Sequence, residues 1–293
     1  MKRSGVKFWC FGCSVVAASL LFAQTGTRQD ALALEQQGRN AEAAQIWSGI
    51  AQREPANAEA LAHLGLIEAR QEHYAQAIDH YRRALAINQT FPGLEMNLGL
   101  ALFKTDQFGE AMKAFAAELE RHPGDLRLTT LLGMTHYAMG DYLVAIPYLE
   151  KATEADRQNA ALRMTLARSC LWSGQYACVV KAAGQVLALN PGNADAAMLA
   201  GEGLAAEGNT AAAIEQFRAA AANPSAPEAH FALGYLFWTA GKNEDAAAEF
   251  EAEARVNPGN ALARACEEAA AAGKRPEAPL IDVMENAQAP AQP

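Results

Sequence analysis

The chain has 293 residues, 51% of them hydrophobic, enough to bury a large core. It sets 24 Lys and Arg against 33 Asp and Glu, a formal charge of −9. That balance excludes nucleic acid as an expected partner, because phosphate binding needs a concentrated basic surface.

At the start, Lys2, Arg3 and Lys7 precede an uncharged apolar stretch from Phe8 to Ala23. This is the pattern of an export signal over residues 1–23, cut after a small residue, and it predicts a periplasmic or secreted protein. The alternative is an uncleaved N-terminal anchor, since the stretch falls just short of the ~17–25 residues that span a bilayer. Membrane contact is expected only by that route.

From residue 24 onward the chain keeps a 34-residue period. Gly65, Gly99, Gly133, Gly201 and Gly234 mark it, with Ala167 in the remaining slot. A small-residue column of Ala43, Ala77, Ala111, Ala145, Ala213 and Ala246, with Val179 in its gap, keeps the same phase. Four residues after each comes a bulky group, namely Trp47, Tyr81, Phe115, Leu149, Phe217 and Phe250, with Ala183 the exception. Pro55, Pro123, Pro191 and Pro258 punctuate unit ends. Helices approach closely only where a side chain is missing or tiny, and the bulky residue fills the space beside that contact.

Each unit splits into two apolar stretches of helical spacing, divided by a turn column of Gly38, Gly140, Gly174, Gly208 and Gly241. Glu72 and Asp106 stand in that column and predict turns of a different shape. The fold class is therefore all-α, a solenoid of about seven helix-turn-helix units at 24–57 (with an incomplete first helix), 58–91, 92–125, 126–159, 160–193, 194–226 and 227–260. An Ala-rich stretch at 261–273 predicts a C-terminal capping helix. Residues 274–293, with four prolines and few large apolar groups, predict disorder.

These columns resemble the tetratricopeptide repeat, on Leu98-Gly99, Leu102, Ala111, Phe115 and Pro123 in the third unit and Leu233-Gly234, Phe237, Ala246, Phe250 and Pro258 in the last. The resemblance implies a right-handed superhelix whose first helices line a concave groove that carries ligand contacts. Once the packing columns are assigned, the first helices leave a stripe at i, i+4, i+7. It comprises Met96, Leu100 and Phe103; Met134 and Tyr137; Met164, Arg168 and Trp172; Met198 and Glu202; and Phe231, Tyr235 and Trp238. A surface rich in Met and aromatics suits an adaptable apolar groove for a peptide or a partner protein, although stripes of this kind also serve as core.

No phosphate-cradling loop, nucleophile elbow or metal-ligand spacing is present, so no enzyme activity, cofactor, metal or small-molecule substrate is expected. Cys170 and Cys178 flank the turn at Gly174 and are placed either to form a disulfide across a hairpin or to sit as small buried hydrophobes. A binding scaffold is the leading function. Thiol-redox activity of that cysteine pair and self-association through the groove or an end repeat are the alternatives.

Overall fold

The computed structural model describes residues 26–223, 226 and 228–288. The predicted export segment lies outside the described residues. The chain divides into two compact units, one up to Leu128 and one from Thr129. All regular structure among the described residues is helical.

The first unit holds α1 (Arg28–Gln36), α2 (Asn40–Arg53), α3 (Ala58–Arg70), α4 (Tyr74–Ile87), α5 (Leu94–Lys104) and α6 (Phe108–Arg121), and each packs on the next. Helix α7 (Leu126–Met139) leads into the second unit. That unit continues with α8 (Tyr142–Ala155), α9 (Ala160–Trp172), α10 (Tyr176–Leu189), α11 (Ala194–Ala206), α12 (Thr210–Ala221), α13 (Ala229–Thr239), α14 (Asn243–Val256), α15 (Ala261–Ala271) and α16 (Leu280–Gln288). Sequential neighbours from α8 to α15 pack together. First helices also touch first helices, α3 with α5, α9 with α11 and α13 with α15, so that they form one layer within each unit. This is an α-solenoid of stacked hairpins, with a core that grows from neighbour to neighbour.

The periodic columns explain the packing atom by atom. Every member of the small column, Ala43 to Ala246 with Val179, is fully buried. A Cβ built on Gly99 would lie 2.5 Å from the Phe115 ring, one on Gly201 would lie 2.5 Å from Phe217, and one on Gly234 would lie 2.8 Å from Phe250. The glycine exists to admit the ring sixteen residues later. In the fifth unit the same register joins Ala167 to Ala183, both fully buried. Two apparent departures from the pattern are thus a single exchange of volume, a methyl gained on one helix where a ring is lost from the other. The first unit pairs Ala31 with Trp47, whose indole turns aside to stack on His63 at 4.5 Å and to donate to Glu35 at 2.7 Å.

Two expectations are corrected. The turns at Glu72 and Asp106 do not differ in shape, because both residues take the left-handed backbone, at φ 62° and 58°, that glycine takes elsewhere in the column. His73 N–H donates to the Glu68 carbonyl and Gln107 N–H to the Leu102 carbonyl, the same closure that Gln175 makes to Cys170. A side chain in this region costs roughly 1–2 kcal/mol, partly offset by glycine's greater freedom when unfolded. Glu72→Gly is therefore expected to stabilise the chain by about 0.5–1 kcal/mol, and Asp106→Gly by less, since Asp tolerates this region better. Urea denaturation would read both.

The first unit opens on a shorter helix, nine residues in α1 against thirteen in α3. Thr27 caps α1 through its side chain, and Asp30 returns the bond to the Thr27 backbone, a capping box. The second correction falls on the disorder expected over 274–293: α16 forms there at Leu280–Gln288, with Leu280 and Met284 buried.

Candidate peptide-binding face

Helix starts position this face. Asn57, Asn159, Asn193 and Asn260 each accept the backbone N–H three residues on, and Asp125 does the same for Arg127 and Leu128. This cap column fails at the third and seventh units, where α5 and α13 begin after left-handed Gly93 and Glu228 with no side-chain cap. There the second helix supplies the acceptor. Buried Glu118 takes the Gly93 N–H at 3.2 Å, and buried Glu253 takes the Phe231 N–H at 3.3 Å. Glu253 also accepts from the side-chain amides of Asn257 and Asn260, each at 3.3 Å.

In the first unit, Met96 and Phe103 are half-buried and Leu100 is exposed. Phe103 meets Phe108 edge to face at 5.3 Å. In the second unit, Met134 and Tyr137 are half-buried against the core that Met164 helps to form. Tyr137 contacts Tyr142 at 5.6 Å, and Tyr142 stacks on half-buried Trp172 at 6.2 Å. Arg168, beside them on α9, pairs with Asp195 at 3.7 Å. Tyr142 was not part of the sequence stripe, because it opens a second helix. Its ring nevertheless joins the other two into a ladder of three aromatics, edge-on to Tyr137 and stacked on Trp172.

Farther along, the stripe is covered. Met198, Glu202, Phe231, Tyr235 and Trp238 are all buried, as is every residue of α13 from Ala229 to Trp238 except half-buried His230. The cover is the chain's own 274–284 segment. The Trp238 indole donates to the Lys274 carbonyl at 2.7 Å and the Tyr235 hydroxyl to the Ala278 carbonyl at 2.6 Å. Leu280 and Met284 join the cluster of Met198, Phe231, Tyr235 and Trp238, while Ile281 packs on the neighbouring cluster built by α8 to α11. Burial first, with Cys266 second, holds the Tyr235 hydroxyl above its ordinary pKa, so it remains a donor.

Cys170 and Cys178 are joined by a disulfide, with Cα atoms 5.8 Å apart across the α9–α10 turn. Near it, a cleft of about 260 Å³ is lined by Glu150, Glu154, Arg157, Arg163 and Lys181. Its buried guanidinium is already satisfied, because Arg163 donates to Gln185 and to the Arg157 carbonyl. The described residues hold no group of three or more His, Cys, Asp or Glu placed for a metal ion. None of the described helices is long and apolar enough to cross a membrane.

Tetratricopeptide repeat family models match residues 68–134 and 136–202, and again 29–93, 180–227 and 204–261. The chain belongs to the tetratricopeptide repeat family. A tetratricopeptide repeat-containing protein of Methanocaldococcus jannaschii is 32% identical over 81 residues, which are 28% of this chain and 14% of that protein. The chain thus spans a small part of that relative's length. Among solved structures, the C-terminal part of a tetratricopeptide repeat-containing protein from Cytophaga hutchinsonii superposes with a TM-score of 0.63 at 17% identity, covering 81% of this chain and 98% of that one. YrrB, described as a tetratricopeptide repeat protein with an unusual peptide-binding site, superposes with a TM-score of 0.55 at 17% identity, covering 77% and 99%. These likenesses show the fold. Tetratricopeptide proteins serve in general as protein-protein interaction scaffolds, and this chain has that architecture.

Proposed function

We propose that this protein is a non-catalytic scaffold that binds a peptide or an extended segment of a partner protein on its first-helix face, in the periplasm or after secretion. The ladder of Tyr137, Tyr142 and Trp172, with Met134 and Arg168 beside it, carries the reading. These side chains are half-buried, already ordered by ring contacts and by core packing, so a ligand gains apolar area while little further entropy is lost. The peptide-binding site named for YrrB lends support from a protein of the same fold. Export is supported by the disulfide, a bond that persists in oxidising compartments.

The test is a peptide selected from a random display library on the full chain. Changing Tyr137→Ala together with Trp172→Ala is expected to weaken binding about thirtyfold or more, by loss of aromatic anchors worth ~2 kcal/mol or more, while circular dichroism stays unchanged. Undiminished affinity in that double variant would place the ligand elsewhere. N-terminal sequencing of the exported chain checks cleavage after Ala23. We read the bridge as a staple of the α9–α10 hairpin rather than a redox centre, with Cys170 fully buried and closed to an attacking thiolate and Cys178 half-buried at the cleft.

A further inference from the structure

We propose that the face of α11 and α13 is a seat for a short amphipathic helix led in by a non-helical, proline-containing stretch, and that residues 274–284 are its built-in occupant. An external segment of the same pattern binds there by displacing it. This deepens the reading of the first-helix layer as a peptide site and rests on it.

The contacts have the character of peptide recognition. Trp238 and Tyr235 donate to the main-chain carbonyls of Lys274 and Ala278, groups that a segment of any sequence carries. The side chains supply selectivity. Leu280 and Met284 sink into the cluster around Phe231 and Trp238, Val283 packs partly against it, and Ile281 turns to the next cluster. Apolar groups at i, i+1, i+3 and i+4 on one helix are the pattern of a helix lying in a groove. Met198 in the seat and Met284 in the occupant are both able to repack around other shapes.

The occupant is built to exchange. Helix α16 has nine residues, too few for a helix stable in water, so its order comes from the seat. Left-handed Gly273 follows α15, and from Lys274 to Pro279 the chain runs without a helix and contains Pro276 and Pro279. That tether holds α16 at a high local concentration without fixing it covalently in the core. The ligand class follows from the occupant: a segment of the form Pro-Leu-Ile-x-Val-Met, entering without a helix and ending helical.

The probe is a fluorescent synthetic peptide of residues 274–288, read by anisotropy against the full chain. Leu280→Asp with Met284→Asp, made in the full chain, frees the seat. That variant is expected to bind the peptide about tenfold or more tightly than the native chain, whose tethered segment competes. A peptide carrying the same two substitutions is expected not to bind. Equal affinities for native and variant chains, or no binding by the variant at about 1 mM peptide, overturn the proposal. Should the double variant lose helix beyond α16, a chain ending at Gly273 is judged by the same outcomes. A chain that binds a selected peptide through Tyr137 and Trp172 yet ignores the 274–288 peptide overturns this inference alone. Binding of the 274–288 peptide that persists when the selected peptide is lost supports it and counts against the ladder reading.

Discussion

Gly201→Ala is expected to destabilise the second unit by about 2–3 kcal/mol, a large effect for one methyl group. The new Cβ would stand 2.5 Å from the ring of Phe217, and both positions are buried between packed helices with no room to relax. Phe217→Ala is expected to cost about 3–5 kcal/mol, by lost burial and the cavity left behind. The two together are expected to fall short of the sum by roughly 1–3 kcal/mol, because the methyl no longer meets a ring and partly fills its space. The fifth unit is the natural precedent, with Ala167 and Ala183 in those two places. Urea unfolding of the three variants reads the coupling, provided the slope is common to all, so that the same transition is compared. Simple additivity would mean that glycine and ring are not coupled, and the Ala167–Ala183 exchange would need another cause.

Glu253→Leu is expected to cost about 2–4 kcal/mol, well beyond the ~1 kcal/mol expected of Asn159→Ala at an ordinary cap. Removing this fully buried carboxylate strands the Phe231 N–H at the start of α13 and the amides of Asn257 and Asn260. Glu253→Gln keeps one acceptor oxygen and is expected to lose less. Hydrogen exchange at the Phe231 amide localises the effect. If Glu253→Leu matched Asn159→Ala in stability, the carboxylate would not be acting as the cap of α13.

Periodicity made the hairpins, their order and their packing contacts legible, because each column reports a steric requirement local to one pair of helices. Gly99 beside Phe115 is readable from two letters and a spacing. The turns at Glu72 and Asp106 were misread because residue identity suggested a different backbone, whereas the closing hydrogen bonds to Glu68 and Leu102 impose one shape on whatever stands there. Glu118 and Glu253 are not legible for another reason: nothing in their own helices marks them, because the cap each one replaces is missing from the partner helix. The covered stripe at Tyr235 and Trp238 was legible only in part. Residues 280–284 carry an amphipathic pattern, but proline and composition around them pointed to disorder, and nothing in a repeat column specifies what lies upon it.

A solenoid whose units touch only their neighbours unzips from its ends, since the last hairpin can melt without disturbing the one before. Helix α16 alters that rule here by bridging α11 and α13, the first helices of successive hairpins, from a tether that leaves α15. Melting the last hairpin must strip the bridge from both, so fraying at this end becomes an all-or-none event over two hairpins and the cap. Displacement of the bridge would then restore stepwise melting, and occupancy of the seat would be written into how cooperatively the terminal hairpins open.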